Sequence, residues 1–232
     1  MLVRSQERFM CVWGALVVMT ACNQPNPPEG SEEAGTDGST ADYYPLVDGA
    51  TWTYRHKRLD MTMVDEIVEM KAIEHDGKPA FELKDNEDER GETTVSILVD
   101  VDGQVLRVHK EVLAMGALVV VTEYDPGFLR FDAGWNEKGQ MTNWQYDRTE
   151  YNGMGDLIVP TEARLQIFTI EELSVAVTVE AGTFDCMQVL RDRPNLGEAT
   201  RFWFAAGVGK IKDEDLVTGT VEELVDYDVP KL

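Results

Sequence analysis

From Tyr43 onward, the pattern of apolar and polar residues predicts short β-strands separated by turns. Runs rich in Val, Ile, Thr and aromatic residues are interrupted by turn residues about every ten positions, which is typical of an antiparallel β protein. The clearest unit lies between Thr93 and Lys110, where apolar and polar residues alternate on both sides of Asp102-Gly103. Because both central residues of a type I′ turn need a positive φ, Asp-Gly predicts a tight hairpin there. Asp76-Gly77 predicts a second hairpin.

The later part of the chain continues this pattern. We expect separate strands at Leu165–Ile170, Val175–Val179, Phe184–Leu190, Arg201–Phe204 and Val221–Tyr227. Asp125-Pro126-Gly127 predicts a turn, because Pro and Gly are typical turn residues. In the run from Phe184 to Leu190 the large side chains do not all fall on one face, which indicates a bulge or a strand buried on both faces. No long segment has the 3.6-residue period of an amphipathic helix, so helices should be short and few.

These patterns predict an all-β fold, either a curled antiparallel sheet or a barrel-like domain, over residues 43–232. Residues 22–42 differ sharply in composition, because the stretch from Asn23 to Asp42 contains no large apolar residue and is rich in Pro, Gly, Ser, Thr and acidic residues. Such a segment cannot bury enough surface to offset its ordering entropy. We therefore predict a disordered acidic linker before the β domain.

The first 21 residues have the layout of a signal peptide. Arg4 and Arg8 make the start basic, and an apolar run of about a dozen residues follows, too short to span a bilayer. Met19-Thr20-Ala21-Cys22 resembles the bacterial lipobox, although Met19 stands where Leu is usual. The resemblance implies signal cleavage between Ala21 and Cys22 and a diacylglyceryl group on the Cys22 thiol. More than one acyl chain is needed for stable anchoring to a membrane.

Charge and cysteine content narrow the possible functions. The chain carries 43 acidic and 21 basic side chains, a formal net charge of −22, which disfavours nucleic acid as a partner. If Cys11 leaves with the signal peptide and Cys22 is lipidated, only Cys186 remains, so the exported domain cannot form an internal disulfide. Asn23 follows Cys22, where Asp tends to retain enteric lipoproteins at the inner membrane. The expected location is therefore the bacterial cell envelope, with the outer membrane favoured over the inner.

Three stretches of the domain resemble a group of bacterial envelope lipoproteins of unknown function, akin to the DUF3108-like proteins. They are Tyr43–Tyr54 (YYPLVDGATWTY), Val179–Cys186 (VEAGTFDC) and Phe202–Lys212 (FWFAAGVGKIK). The resemblance implies a curled antiparallel sheet and no established activity, and it transfers no catalytic residue. The large aromatic residues of these stretches suit core packing. They could also contact a ligand, and the candidates are Trp52, Tyr54, Phe184, Phe202 and Phe204.

Signatures of catalytic and cofactor sites were sought and not found in the sequence. His56, His75 and His109 have no other metal-ligand residue at the spacing of a zinc motif, and no cofactor is expected. The chain contains no nucleophile elbow and no phosphate-binding loop. We therefore expect a non-catalytic, membrane-anchored domain that binds an apolar ligand, or a protein partner through an edge or face. The alternative is a hydrolase acting on envelope polymers, which would need two close carboxyl groups in a cleft, one with a raised pKa.

Overall fold

The structure, a computed structural model, describes residues 43–57, 62–86, 88 and 91–231. All of its regular elements are β-strands, which confirms the all-β prediction. Their bounds are β1 Thr51–Lys57, β2 Met63–His75, β3 Lys78–Asp85, β4 Glu92–Val101, β5 Gln104–Ala114, β6 Ala117–Asp132, β7 Met141–Asn152, β8 Leu157–Val179, β9 Gly182–Arg193, β10 Glu198–Ala205, β11 Gly209–Asp215 and β12 Val221–Asp228.

The twelve strands form a closed antiparallel barrel in which each strand pairs with its neighbours in sequence. Closure comes from β1, which pairs with β2 on one side and with β12 on the other. Trp52 lies opposite Val68 in β2 and opposite Tyr227 in β12. Each described strand thus has a neighbour on both sides, although β6 pairs with β7 only from Val120 to Asp125. Binding of a protein partner through an edge or face stays a prediction.

Both predicted Asp-Gly hairpins are present. Asp76 and Gly77 have φ values of 52° and 74°, and Asp102 and Gly103 have values of 55° and 83°, so both residues of each pair adopt the left-handed region that type I′ turns require. Met115-Gly116 forms a third turn of this kind, with φ values of 51° and 77°. That turn was not predicted, because Met is an unusual residue at positive φ.

Two predicted chain interruptions are instead irregularities inside long strands. Asp125-Pro126-Gly127 is not a turn, because β6 continues through it with a cis bond before Pro126. The pairing of β5 with β6 shifts at this point, where Arg107 lies opposite Phe128 and His109 opposite Glu123. Pro and Gly are tolerated at such bulges, since no regular ladder hydrogen bond is needed there.

The runs predicted at Leu165–Ile170 and Val175–Val179 belong to one strand, β8. Its pairing with β9 shifts between Ile170 and Glu172 and again between Glu172 and Val175. Opposite these shifts, the adjacent residues Cys186 and Met187 are both buried. The extra residues of these shifts lie in β8, whereas β9 pairs with β10 without a shift from Arg193 to Cys186. Cys186 and Met187 therefore face opposite sides, and this part of β9 is buried on both faces, one of the two possibilities that the sequence left open.

A large aromatic and aliphatic core occupies the barrel interior. Trp135, Phe131 and Phe168 are among the largest fully buried side chains, and their rings contact one another, with centroids 5.1 Å apart for Phe131 and Trp135 and 5.0 Å apart for Trp135 and Phe168. Tyr43 and Tyr44, which precede β1, each place a ring 6.3 Å from that of Phe131. The segment before the first strand therefore belongs to the packed domain.

The predicted signal peptide, Ala21, Cys22 and the linker to residue 42 lie outside the described residues. No helix in the described ranges is long and apolar enough to cross a membrane.

Candidate functional site: the barrel cavity

The barrel encloses a cavity of about 150 Å³. Inward-facing side chains from most strands line it, because side chains alternate between the two faces of a barrel strand. In β2, for example, Glu66, Val68 and Met70 all line the cavity at this spacing. Tyr44 and Pro45, from the segment before β1, line it as well. An apolar cavity of about this volume can hold benzene, so the space suits a small ligand or one end of a longer molecule.

Four of the five aromatic residues predicted as ligand contacts line this cavity, namely Trp52, Tyr54, Phe202 and Phe204. Phe184 is not among the lining residues. Its ring lies edge-on to that of Tyr227, with the two centroids 6.0 Å apart. The structure therefore brings four of the candidates together and places the fifth elsewhere.

The polar atoms of Trp52 and Tyr54 are used within the barrel. The indole Nε1 of Trp52 donates a hydrogen bond to the carbonyl of Val208 at 2.7 Å, and the Tyr54 hydroxyl donates to the carbonyl of Lys210 at 3.1 Å. Both side chains are buried, with 5% exposure each. They therefore stabilise the barrel and offer a ligand mainly apolar surface.

Three arginines, Arg107, Arg130 and Arg191, line the same cavity. Within the described residues, none of them has a carboxylate at ion-pair distance. Arg130 shares a hydrogen bond with the Tyr44 hydroxyl, and Arg191 Nη2 donates to Thr200 Oγ1 at 3.1 Å. The Nε atoms of Arg107 and Arg191 are buried and have no hydrogen-bond partner in the described part of the chain. The cavity wall thus contains cationic groups that the protein leaves unpaired.

Burial and mutual repulsion among the arginines lower the pKa values of two of them. Burial, followed by the charge of Arg130, lowers the pKa of Arg107 to about 10. Burial and the charges of Arg193 and Arg130 lower that of Arg191 to about 9. Both guanidinium groups remain protonated at neutral pH, so each keeps a positive charge with no carboxylate at ion-pair distance in the described part of the chain. Buried charges are normally paired, and strongly perturbed groups in a cavity are candidates for a functional site.

Aromatic rings compensate this charge only in part. The guanidinium carbons of Arg107, Arg191 and Arg193 lie 5.6, 5.5 and 5.9 Å from the centroid of the Phe128 ring. Arg191 also lies 4.8 Å from the ring centroid of Phe202. A cation–π contact contributes roughly 0.5–2 kcal/mol. Removing an unpaired ion from water costs several kcal/mol, so these rings do not replace a counter-ion.

Opposite charges are matched in another part of the cavity. Lys210 Nζ lies 2.9 Å from Asp213 Oδ2 and also pairs with Glu222. Burial lowers the pKa of Lys210, but these two carboxylates outweigh burial and raise it overall. His56 Nε2 lies 2.8 Å from Glu66 Oε2. The carboxylates near Lys210 and His56 therefore have cationic or hydrogen-bonding partners of their own. They act on the arginines at longer range, because Asp213 and Glu222 raise the pKa of Arg130, and Asp213 opposes the lowering of the pKa of Arg191.

Glu66 and Asp85 form a hydrogen-bonded pair of carboxyl groups in the cavity wall. Burial raises the pKa of Asp85 to about 6, the nearby charge of Glu66 adds to this, and the backbone N–H of Thr94 opposes it. The His56 hydrogen bond and the Lys210 charge outweigh burial at Glu66 and lower its pKa. The proton of the pair therefore resides on Asp85.

His56 is less isolated than the sequence suggests. His56, Glu66 and Glu222 each place a nitrogen or oxygen atom within 4.8 Å of the others, a spacing that could hold a metal ion. The ammonium group of Lys210, bonded to Glu222, already supplies a cation at this position. We therefore interpret the three residues as part of the charged network around Lys210.

Four of the six aromatic residues that line the cavity were predicted from the sequence, and none of the charged ones. Arg191 follows Val189 by two positions in β9, so it points inward on the same face as that fully buried residue. In the sequence alone this position is a weak signal, because charged residues near the end of a strand usually lie in solvent.

Comparisons with known proteins identify no family. Neither a protein-family model nor a curated protein matches the sequence. Among solved structures, a Bacteroides fragilis protein described as exported and as having a YmcC-like fold aligns with a TM-score of 0.46 and 13% identity. A Parabacteroides distasonis protein described as a lipoprotein aligns with a TM-score of 0.40 and 10% identity. Each alignment covers 80% of this chain and 98% of the other. Neither likeness is close enough to support a functional argument.

Proposed function

We propose that the protein is a lipid-anchored component of the bacterial cell envelope whose non-catalytic barrel binds a small, partly apolar ligand in its interior cavity. The anchor rests on the signal-peptide layout and on the lipobox-like Met19–Cys22. The linker then separates the domain from the membrane surface. With a length of about 5–6 Å × √n, a flexible segment of this size reaches roughly 25 Å.

One observation carries the binding proposal, namely a cavity of about 150 Å³ inside a closed barrel, lined by six aromatic and seven ionisable side chains. Ligand sites are typically concave, mostly apolar and equipped with a small number of polar groups that orient the ligand. The rings of Trp52, Phe202 and Phe204 provide the apolar wall. A barrel of this size filled completely by its own side chains would have no such space.

The proposal can be tested on protein extracted with mild detergent from its native envelope. Native mass spectrometry should reveal a co-purifying small molecule, and delipidated protein should regain thermal stability when that molecule is returned. At a hundred times the dissociation constant the gain is about 2.7 kcal/mol. If the native protein carries nothing, and its melting temperature ignores fatty acids and phospholipids alike, a role in scaffolding or in binding a protein partner through its outer face replaces this proposal.

A hydrolase acting on envelope polymers is the second candidate, and the Glu66–Asp85 pair favours it. The pKa of Asp85 is raised to about 6, which brings one carboxyl group of this pair closer to the range that acid catalysis at neutral pH requires. The two groups hydrogen-bond to each other, whereas the carboxyl groups of a retaining glycosidase lie about 5–5.5 Å apart with the sugar between them. This arrangement is therefore better suited to a buried structural pair. Release of soluble fragments from purified envelope polymers, lost in Asp85→Asn, would support the enzyme instead.

A further inference from the structure

The structure assigns an anion-binding role to Arg107 and Arg191, and we infer that the cavity ligand is a small amphiphile with a carboxylate or phosphate group and an apolar body. This inference rests on the proposed ligand-binding function and specifies its chemistry. Two features carry it: the unpaired guanidinium groups in the cavity wall and the aromatic surface beside them.

The barrel register brings the two arginines to one place. Arg107 in β5 pairs directly with Phe128 in β6, and its guanidinium lies over that ring. Arg191 in β9 lies over the same ring from another part of the barrel wall. Two guanidinium groups that share one aromatic neighbour repel each other, so the arrangement is unfavourable without an anion between or beside them.

Both arginines line the cavity and have more hydrogen-bond donors than the fold uses. A guanidinium has five N–H donors, and the buried Nε donors of Arg107 and Arg191 have no partner within the described residues. The planar guanidinium matches the two oxygens of a carboxylate or phosphate. Arg130 and the Tyr44 hydroxyl lie in the same wall and add positive charge and a further donor. An entering oxyanion would therefore meet three arginine side chains among the residues that line the cavity.

The surroundings specify the rest of the ligand. Phe202 lies under the Arg191 guanidinium and stacks on Phe204 with ring centroids 5.8 Å apart, and both rings line the cavity. A ligand whose charged end reaches the arginines would place its body against these rings. The carboxylates that pair with Lys210 and His56 make no direct ion pair with Arg107, Arg130 or Arg191 in the described part of the chain, so an anion can still approach these guanidinium groups. The protein as a whole is strongly acidic, which makes this cationic interior a local feature and not a consequence of composition.

The test is isothermal titration of the delipidated full-length protein with four probes: octanoate, octyl phosphate, octan-1-ol and inorganic phosphate. We expect both amphiphilic anions to bind, and the alcohol and inorganic phosphate to bind more weakly by about tenfold or more. Arg191→Gln and, separately, Arg107→Gln should weaken the two anions by a similar factor and leave the alcohol unchanged. The matched control is Arg201→Gln, because Arg201 pairs with Glu171 and does not line the cavity.

The possible outcomes separate a failure of the anion-binding inference from a failure of the proposed ligand-binding function. Equal binding of octan-1-ol and octanoate would overturn the anion inference while the proposed ligand-binding function stands. Equal binding of inorganic phosphate and octyl phosphate would overturn the amphiphile and leave a simple anion site. Failure of all four probes, in a protein that also carries no native ligand, would overturn both levels. Circular dichroism of each variant confirms that a lost affinity is not a lost fold, and Arg107→Gln provides the second variant if Arg191→Gln fails to fold.

Discussion

The guanidinium of Arg191 lies over the ring of Phe202, with its central carbon 4.8 Å from the ring centroid. This contact follows from the register of β9 and β10, because Arg191 pairs with Thr200 and its side chain reaches the next inward-facing residue of the partner strand. This contact places the two parts of the proposed site side by side. Arg191 provides a cation for the charged end of a ligand, and Phe202 provides aromatic surface for its apolar body.

An arginine retained for binding should reduce the stability of the empty barrel. Replacing Arg191 by Met removes an unpaired buried charge and keeps an unbranched apolar side chain, so ligand-free Arg191→Met should melt a few degrees higher than the parent protein. Differential scanning calorimetry of delipidated samples measures this. The control, Arg201→Met, breaks an ion pair on the outside and should not raise the melting temperature. A clear fall for Arg191→Met would mean that the charge is compensated within the fold.

The protonated Asp85 predicts a pH-dependent stability. Because the folded state raises the pKa of Asp85 to about 6, its stabilising effect is complete below the ordinary value near 4 and is lost as the pH rises through 6. Asp85→Asn should therefore raise the melting temperature at pH 8 and change it little at pH 4. Asp226→Asn, on the exposed side of β12, provides the control. An equal effect of Asp85→Asn at both pH values would contradict the raised pKa.

Gln166 is a second buried polar group whose replacement should stabilise the barrel. It is fully buried in β8, and neither its amide nitrogen nor its amide oxygen has a partner in the described part of the chain. Leaving such a group unsatisfied costs about 1–3 kcal/mol, so Gln166→Met should increase the free energy of unfolding by up to this amount. Urea denaturation decides the matter. A destabilised Gln166→Met would show that the amide makes a hydrogen bond in solution, for instance to a buried water.

The Asp102-Gly103 hairpin should not tolerate a β-branched residue. Gly103 has a φ of 83°, and an added Cβ would lie 3.0 Å from the Cβ of Ala133. Gly103→Val should therefore cost roughly 1–3 kcal/mol in urea melts. Gly103→Asn is the matched comparison, since Asn adopts positive φ more readily, and it should cost less. Similar midpoints for all three proteins would contradict this turn geometry.

Lipid anchoring predicts a specific failure when the lipobox cysteine is lost. Cys22→Ala should abolish the diacylglyceryl modification and leave a precursor that still carries its signal peptide. Detergent partitioning and intact-protein mass spectrometry of the expressed protein measure both effects. A Cys22→Ala protein that still gained the mass of a diacylglyceryl group would show that the anchor is attached elsewhere.

Some of this architecture could be predicted from the sequence because short segments determine it. Asp76-Gly77 and Asp102-Gly103 require φ values that few other residue pairs adopt, so both hairpins followed directly. The turn predicted at Asp125-Pro126-Gly127 is wrong, because the residues that favour turns are also those that a bulged strand tolerates. Closure of the barrel depends on Trp52 pairing with Tyr227, which are far apart in sequence, and no local pattern reports it. The sequence therefore could not distinguish a curled sheet from a closed barrel, and the structure was needed for this distinction.

The candidate site was predictable to a similar extent. Trp52, Tyr54, Phe202 and Phe204 could be selected because large aromatic residues on a strand face belong to an interior. The arginines could not, since the inward direction of Arg191 is clear only once Val189 is known to be buried on the same face. Arg107 lies beside a register shift in β5, which makes the direction of its side chain unpredictable from alternation.

The most direct test of the central claim is a crystal structure of the delipidated protein with octyl phosphate. Our account predicts the phosphate inside the barrel, with its oxygens about 2.7–2.9 Å from nitrogen atoms of Arg107 and Arg191, and the alkyl chain against Phe202 and Phe204. The same soak of Arg191→Gln should leave the phosphate site poorly occupied. An alkyl phosphate bound only on the outer surface, or a cavity closed by its own side chains in the presence of the probe, would contradict the account.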